Sequence, residues 1–159
     1  FAATNFISDY VKNMPDYIAD SETSLEKLIL MWECFCLYSF RKPKIYYAIF
    51  SEDLGDKPEN LVKNYYKLFP EELDSAPEDL VPMLLESRLS RRAKIAMQPC
   101  IEDGYFTEEQ EEIVDEGIRL VYHGMLSLII NNRVDFNPEE ATEHVMSHIK
   151  TIINSHAKK

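Results

Sequence analysis

The chain has 159 residues, 45% of them hydrophobic and 28% charged, enough for one domain able to bury roughly 70% of its unfolded surface. Its net charge of −11 and pI near 4.8 argue against nucleic-acid binding by this stretch itself, because phosphate contacts need clustered Lys and Arg. No apolar run reaches the length needed to cross a bilayer.

In chain order the pattern reads as helices only. Just four glycines occur, and no segment sustains the period-two alternation of a strand. Phe1 to about Met14 is predicted as a short amphipathic helix, interrupted or bent at Pro15, with Tyr17-Ile18 able to continue it for a turn. Asp20 or Ser21 is expected to cap a helix running to about Phe40, which Arg41-Lys42-Pro43 breaks. Pro43 starts a shorter helix ending near Ser51-Glu52, and Asp56-Lys57-Pro58-Glu59 opens one ending at Phe69-Pro70. Ser75-Ala76-Pro77-Glu78 then opens a helix to Met97-Gln98-Pro99, with a kink allowed at Pro82, and Glu102-Asp103-Gly104 is a turn.

The end of the chain carries the strongest local signals. Thr107-Glu108-Glu109-Gln110 has the form of a capping box, and Asn137-Pro138-Glu139-Glu140 places a cap before a proline at the first helical position. The two helices they open run to about Arg133 and about His156. Between Ile118 and Ile130 the strongly polar residues are Arg119, His123 and Ser127, spaced four apart along one line. A helix with so narrow a wet stripe needs cover on two sides, so one side is expected to meet a second copy of the chain. Gly117 and Gly124, in line with Val121 and Leu128, would let backbones approach closely, with Val145, Ile149 and Ile152 as the matching stripe.

Trp32, Phe35, Tyr46, Phe50, Tyr65, Phe69 and Met83, closed by Tyr122 and Met125, form the candidate ligand-binding set. Aromatics with polar tips and adaptable methionines build apolar cavities of several hundred cubic ångströms, although plain core packing uses the same residue types. Glu33 shares a helix face with Glu22 and Glu26 and reads as solvated, as does the basic run Arg88, Arg91, Arg92 and Lys94. Cys34 and Cys36 lie two apart on a helix and cannot bridge, and Cys100 stands alone; structural thiols in a reducing compartment, the cytoplasm, are expected.

Recognisable catalytic motifs are absent. There is no phosphate loop, no Gly-x-Ser-x-Gly and no His-Glu-x-x-His, so no catalytic residue and no cofactor is predicted. Glu140, His144 and His148 share one face of the last helix, but a metal would need further ligands from elsewhere, so no metal site is predicted.

Two stretches carry a resemblance. Leu28 to Phe40 followed by Lys42-Pro43-Lys44-Ile45-Tyr46-Tyr47-Ala48-Ile49-Phe50, and Ile101-Glu102-Asp103-Gly104-Tyr105-Phe106-Thr107 leading into a long helix with Gly117 and Tyr122-His123-Gly124-Met125, resemble the effector domain of TetR-type transcriptional regulators. The resemblance spans essentially the whole chain. It implies an all-α bundle of about six to seven helices forming a single ligand-binding and dimerisation domain over residues 1–159. It also implies a homodimer through the last two helices, a small mostly apolar effector among the earlier ones, and operator DNA bound only through an N-terminal helix-turn-helix that this stretch does not contain. Release of the operator on ligand binding, the repressor mode, is the family's usual outcome. A chain beginning at Phe1 is accordingly expected to be a fragment whose preceding residues carry that head. A ligandless helical adaptor and a metal-binding helical bundle are the alternatives.

Overall fold

The computed structural model describes residues 5–50, 62–63, 66–74, 76–86 and 88–158. Among them every regular element is helical: α1 (Asn5–Ile18), α2 (Ser24–Arg41), α3 (Pro43–Phe50), 3₁₀ turns at Pro70–Leu73 and Glu78–Leu80, α4 (Val81–Leu84), α5 (Leu89–Glu102), α6 (Glu108–Ile130) and α7 (Pro138–His156). The fold is an all-α helical bundle. The expected opening at Asp56-Lys57-Pro58-Glu59 lies outside the described residues, although Val62 and Tyr66 beyond it are buried.

Helix α2 is the axis. It packs against α1, α3, α5, α6 and α7, and buries Leu28, Met31, Trp32, Cys34, Phe35, Cys36, Ser39 and Phe40, more than one face can hold. A helix enclosed on several sides must be apolar nearly all round, as the run from Leu28 to Phe40 is. Its cap is Thr23, whose hydroxyl accepts from Glu26 N at 3.1 Å, rather than the expected Asp20 or Ser21. Ser21 instead closes α1, donating its hydroxyl to Ile18 O at 2.6 Å.

Pro15 lies inside α1, which continues to Ile18, and Pro99 lies inside α5 where a helix end is expected; neither ends its helix. Each removes one backbone donor, which packing outweighs: Tyr10, Val11, Met14 and Ile18 of α1, and Met97 and Cys100 of α5, are buried on the core side. The single helix expected from Ser75 to Pro99 is instead α4 and α5 with a break between. The carbonyls of Met83, Leu84 and Glu86, which a continuous helix would pair internally, are taken by the Arg92 guanidinium.

The local signals of the last third hold. Thr107 Oγ1 accepts from Gln110 N at 3.2 Å while Gln110 Oε1 accepts from Thr107 N at 3.0 Å. Asn137 Oδ1 accepts from Glu140 N at 2.8 Å, with Pro138 opening α7. Gly104 ends α5 at φ 83°, a left-handed conformation that costs glycine nothing, and lets Tyr105 N reach Cys100 O at 2.9 Å. Asn132, at φ 53°, does the same for α6, with Arg133 N bonded to Leu128 O at 2.8 Å. Helix α6 stops at Ile130, a turn before the expected Arg133.

Candidate functional site

Five of the nine residues expected to hold a ligand converge on the middle of α2. The Phe35 ring lies 5.8 Å from Trp32, 5.8 Å from Tyr46, 5.3 Å from Phe50 and 5.2 Å from Tyr122, and Tyr10 of α1 joins it at 5.6 Å. Tyr122 is fully enclosed, stacks on Phe40 at 5.9 Å and shares a hydrogen bond with the buried Ser39 hydroxyl. Met83 is buried on α4, and Met125 is half-buried on α6. Phe69 does not join them. It is 38% exposed, because the backbone leaves helical geometry there before the Pro70 turn. Tyr65 lies outside the described residues.

These rings interlock rather than enclose a large void. The pocket against Trp32, Phe35, Met31 and Met83 offers about 30 Å³, where the aromatic content alone suggests several hundred. A broader groove of about 490 Å³ lies elsewhere, between α1, α2 and α7. Its lining includes Tyr17, Glu33, Leu37, Glu139, Glu143 and Lys150, and the half-buried Glu33 faces it from α2.

The wall of the small pocket contains a residue that sequence reasoning placed in water. Arg92 is 3% exposed, while its neighbours Arg91 and Lys94 are exposed. Nη1 donates to the carbonyls of Met83 at 2.9 Å, Leu84 at 3.3 Å and Glu86 at 2.9 Å, and Nη2 donates to Tyr10 Oη at 3.2 Å. The guanidinium also sits 5.0 Å from the Phe50 ring and 5.7 Å from those of Phe35 and Tyr10. Such contacts on desolvated cations are worth about 2 kcal/mol or more each. A sequence signal for this existed. Arg92 falls in step with Leu89, Ala93, Ala96, Met97 and Cys100, the apolar stripe of α5, whereas Arg91 and Lys94 fall off it.

Burial dominates the acid–base character here. It pushes the Tyr10 hydroxyl up to about 12 against the lowering pull of Arg92, and raises Tyr46 and Tyr122 as well. These phenols therefore act as neutral hydrogen-bonding groups. The free thiols are pushed up too, Cys34 to about 12 and Cys100 to about 11, with Cys36 also raised, all chiefly by burial. Their thiolates are suppressed at neutral pH, as expected of structural cysteines.

A second buried charge was also unforeseen. Asp115 on α6 is 2% exposed; its Oδ2 accepts from Arg119 Nε at 2.9 Å, while its Oδ1 and Glu111 Oε1 have no hydrogen-bond partner among the described residues. Burial raises both carboxyls, opposed at Asp115 first by Arg119 and at Glu111 by Lys94.

The outer face of α6 is bare and apolar. Ile113, Leu120 and Leu128 are strongly exposed, and a Cβ built on Gly124 would meet nothing within 4 Å. Positions 113, 117, 120, 121, 124 and 128 form one stripe at helical spacing. The expected interface set divides on it. Leu128 and Gly124 lie open and Val121 is half-buried, while Gly117 faces Ile152 of the same chain, whose Cδ1 stands 3.4 Å from a Cβ built there. Val145 and Ile149 are 1% and 0% exposed, so they belong to the protomer's own core rather than to a free face. They point inward because α7 packs along both α2 and α6.

Among the described residues no group of three or more side chains is placed to hold a metal ion, and His144 stacks on Phe136 at 4.5 Å. No helix among them is long and apolar enough to cross a membrane. Comparison of the chain with protein-family models, characterised proteins and solved structures finds no match.

Proposed function

We propose that the chain is the effector-sensing and dimerisation domain of a TetR-type transcriptional regulator, a repressor whose DNA binding resides in an N-terminal helix-turn-helix outside this sequence. The observation that carries this reading is the bare stripe on α6, the longest helix, in the region where the resemblance puts the family's dimer interface. An exposed leucine and isoleucine row flanking an open glycine calls for a partner helix.

Charge favours a second copy as that partner. The first half of α6 carries Glu108, Glu109, Glu111, Glu112, Asp115 and Glu116, and the second half carries no carboxylate but holds Arg119 and His123. Antiparallel pairing about a two-fold axis near Leu120 and Val121 would set the acidic half of each helix against the non-acidic half of its twin. Parallel pairing would set acid against acid. The expected interface, completed by α7, buries upward of roughly 1,500 Å² in total.

Sedimentation at micromolar concentration tests the arrangement. Wild type is expected to be a dimer and Gly124→Arg a monomer of unchanged helicity, since the protomer itself leaves room for the side chain. A monomeric wild type overturns the reading. The small size of the aromatic pocket favours one rival, a ligandless helical adaptor that would dimerise in the same way. Ligand binding at that pocket separates the two.

A further inference from the structure

We propose that the pocket beside Arg92 takes a small organic carboxylate, its charged head against the guanidinium and its apolar body along Met31, Met83 and Ala96 towards Ser24. This rests on the sensor reading above and names the chemistry of the effector.

Arg92 is a buried cation that, among the described residues, donates four hydrogen bonds, all to neutral acceptors, three carbonyls and a phenol. Among the described residues no carboxylate stands within ion-pair distance of it. Guanidinium stays protonated at any ordinary pH, so the charge cannot be shed, and a buried charge without a counter-ion is costly. Of its five N–H protons, these bonds draw on the two of Nη1 and one of Nη2. Among the described residues the Nε proton and the second Nη2 proton have no acceptor, and Nε and Nη2 share the edge that matches a carboxylate's two oxygens.

The space fits a head group of that size. About 30 Å³ beside the guanidinium accommodates roughly two water-sized spheres, which suits a carboxylate. A dianion such as phosphate would bring a second charge with no second cation to meet it: Lys27, on the neighbouring cavity, is already paired with Asp79 at 2.7 Å.

That neighbouring cavity, of about 60 Å³, shares Met31, Met83 and Ala96 with the first. The partition is therefore built largely from two methionines, unbranched side chains that swing aside readily. Beyond it lies Ser24, whose Oγ is buried without a hydrogen-bond partner among the described residues. The joined cavity thus offers a cation at one end, an apolar middle and an unmet hydroxyl at the other.

The test is titration of the full chain with hexanoate and phenylacetate, each beside its uncharged amide, with hexylamine as the cation. Trp32, the sole tryptophan and part of the pocket wall, reports by fluorescence, and thermal shift gives a second readout. The acids are expected to bind at least about tenfold tighter than the amides, the factor carried by one charge-assisted pair, with no binding of the amine. Ala96→Leu, which narrows both cavities without touching the Arg92 bonds, should weaken the acids about tenfold without lowering the melting temperature. Arg92→Lys, which keeps the charge but loses the fork, should erase most of the preference for acid over amide. Amides binding as tightly as acids would overturn the carboxylate inference and leave the sensor reading standing. Acid binding indifferent to both substitutions would place the site elsewhere and overturn the inference. Binding by neither acids nor amides would overturn it together with the sensor reading, in favour of the adaptor.

Discussion

The hydrogen bond between Ser39 and Tyr122 joins the central helix to the helix with the bare face, and both residues are 0% exposed. Removing one partner therefore strands the other. Ser39→Ala leaves the Tyr122 hydroxyl with no water to turn to, at an expected cost of about 2–3 kcal/mol. Tyr122→Phe keeps the ring among Trp32, Phe35 and Phe40 and strands only the serine hydroxyl. That hydroxyl can swing back to the carbonyl four residues earlier, as serines inside helices do, so about 1–2 kcal/mol is expected. In the double variant nothing is stranded, and the loss should fall short of the sum by about 1–2 kcal/mol. For a chain of this length each kcal/mol moves the melting temperature by about 2–4 °C. The assay is urea unfolding at one fixed protomer concentration, since association contributes to stability, followed by circular dichroism and by Trp32 fluorescence. Losses that add to within about 0.5 kcal/mol would refute the claim that this bond couples α2 to α6.

Two further outcomes are expected. Burial raises the Asp115 carboxyl, so its ionised form is less favourable in the folded chain than in the unfolded one. That penalty is present at neutral pH and vanishes as the pH falls below the ordinary carboxylate value of about 3.9. Asp115→Asn keeps an acceptor for Arg119 and should melt higher than wild type at neutral pH, the gap closing in acid; a lower melting point at neutral pH would mean that the Arg119 pair outweighs desolvation. With a net charge of −11, the chain should not shift duplex DNA in a mobility assay at physiological salt. Binding by this stretch alone would contradict the separation of sensing from DNA reading.

What the sequence made legible was local. The Thr107 and Asn137 caps and the Gly104 turn depend on residues within one helical turn of one another, and they stand where the sequence puts them. What stayed hidden depended on tertiary partners. Pro99 reads as a boundary, but a single missing donor does not end a helix whose other face is buried in a core. Arg92 read as wet because it stands among basic residues, and only its register with Leu89, Ala93 and Ala96 marks it as interior. The break after α4 has neither glycine nor proline at its centre, and depends on a guanidinium arriving from α5. An apolar stripe also does not say which neighbour covers it. Val145 and Ile149 match Leu120 and Leu128 in kind, yet the first pair is enclosed by α2 and α6 while the second is bare.

These features lie on one connected path. Tyr10 of α1 holds Arg92 Nη2, and its ring packs on Phe35. Phe35 in turn meets Tyr122 of α6, the helix whose other face is proposed to meet its twin. A carboxylate seated on the Nε–Nη2 edge would pull the guanidinium away from the Tyr10 hydroxyl, which is bonded through the other Nη2 proton, and so would act first on α1. On the reading proposed above, α1 is the side from which a DNA-reading head would extend. A ligand shifts an equilibrium only by the difference in its affinity for the two arrangements, and an arginine that must choose between a phenol and a carboxylate supplies such a difference. Tyr10→Phe removes the competitor while leaving the ring. If the choice is real, that variant should bind the acids more tightly than wild type while responding less in the helix that Tyr10 anchors. Unchanged affinity would show that Arg92 holds the phenol and the ligand at once, and would refute the coupling to α1.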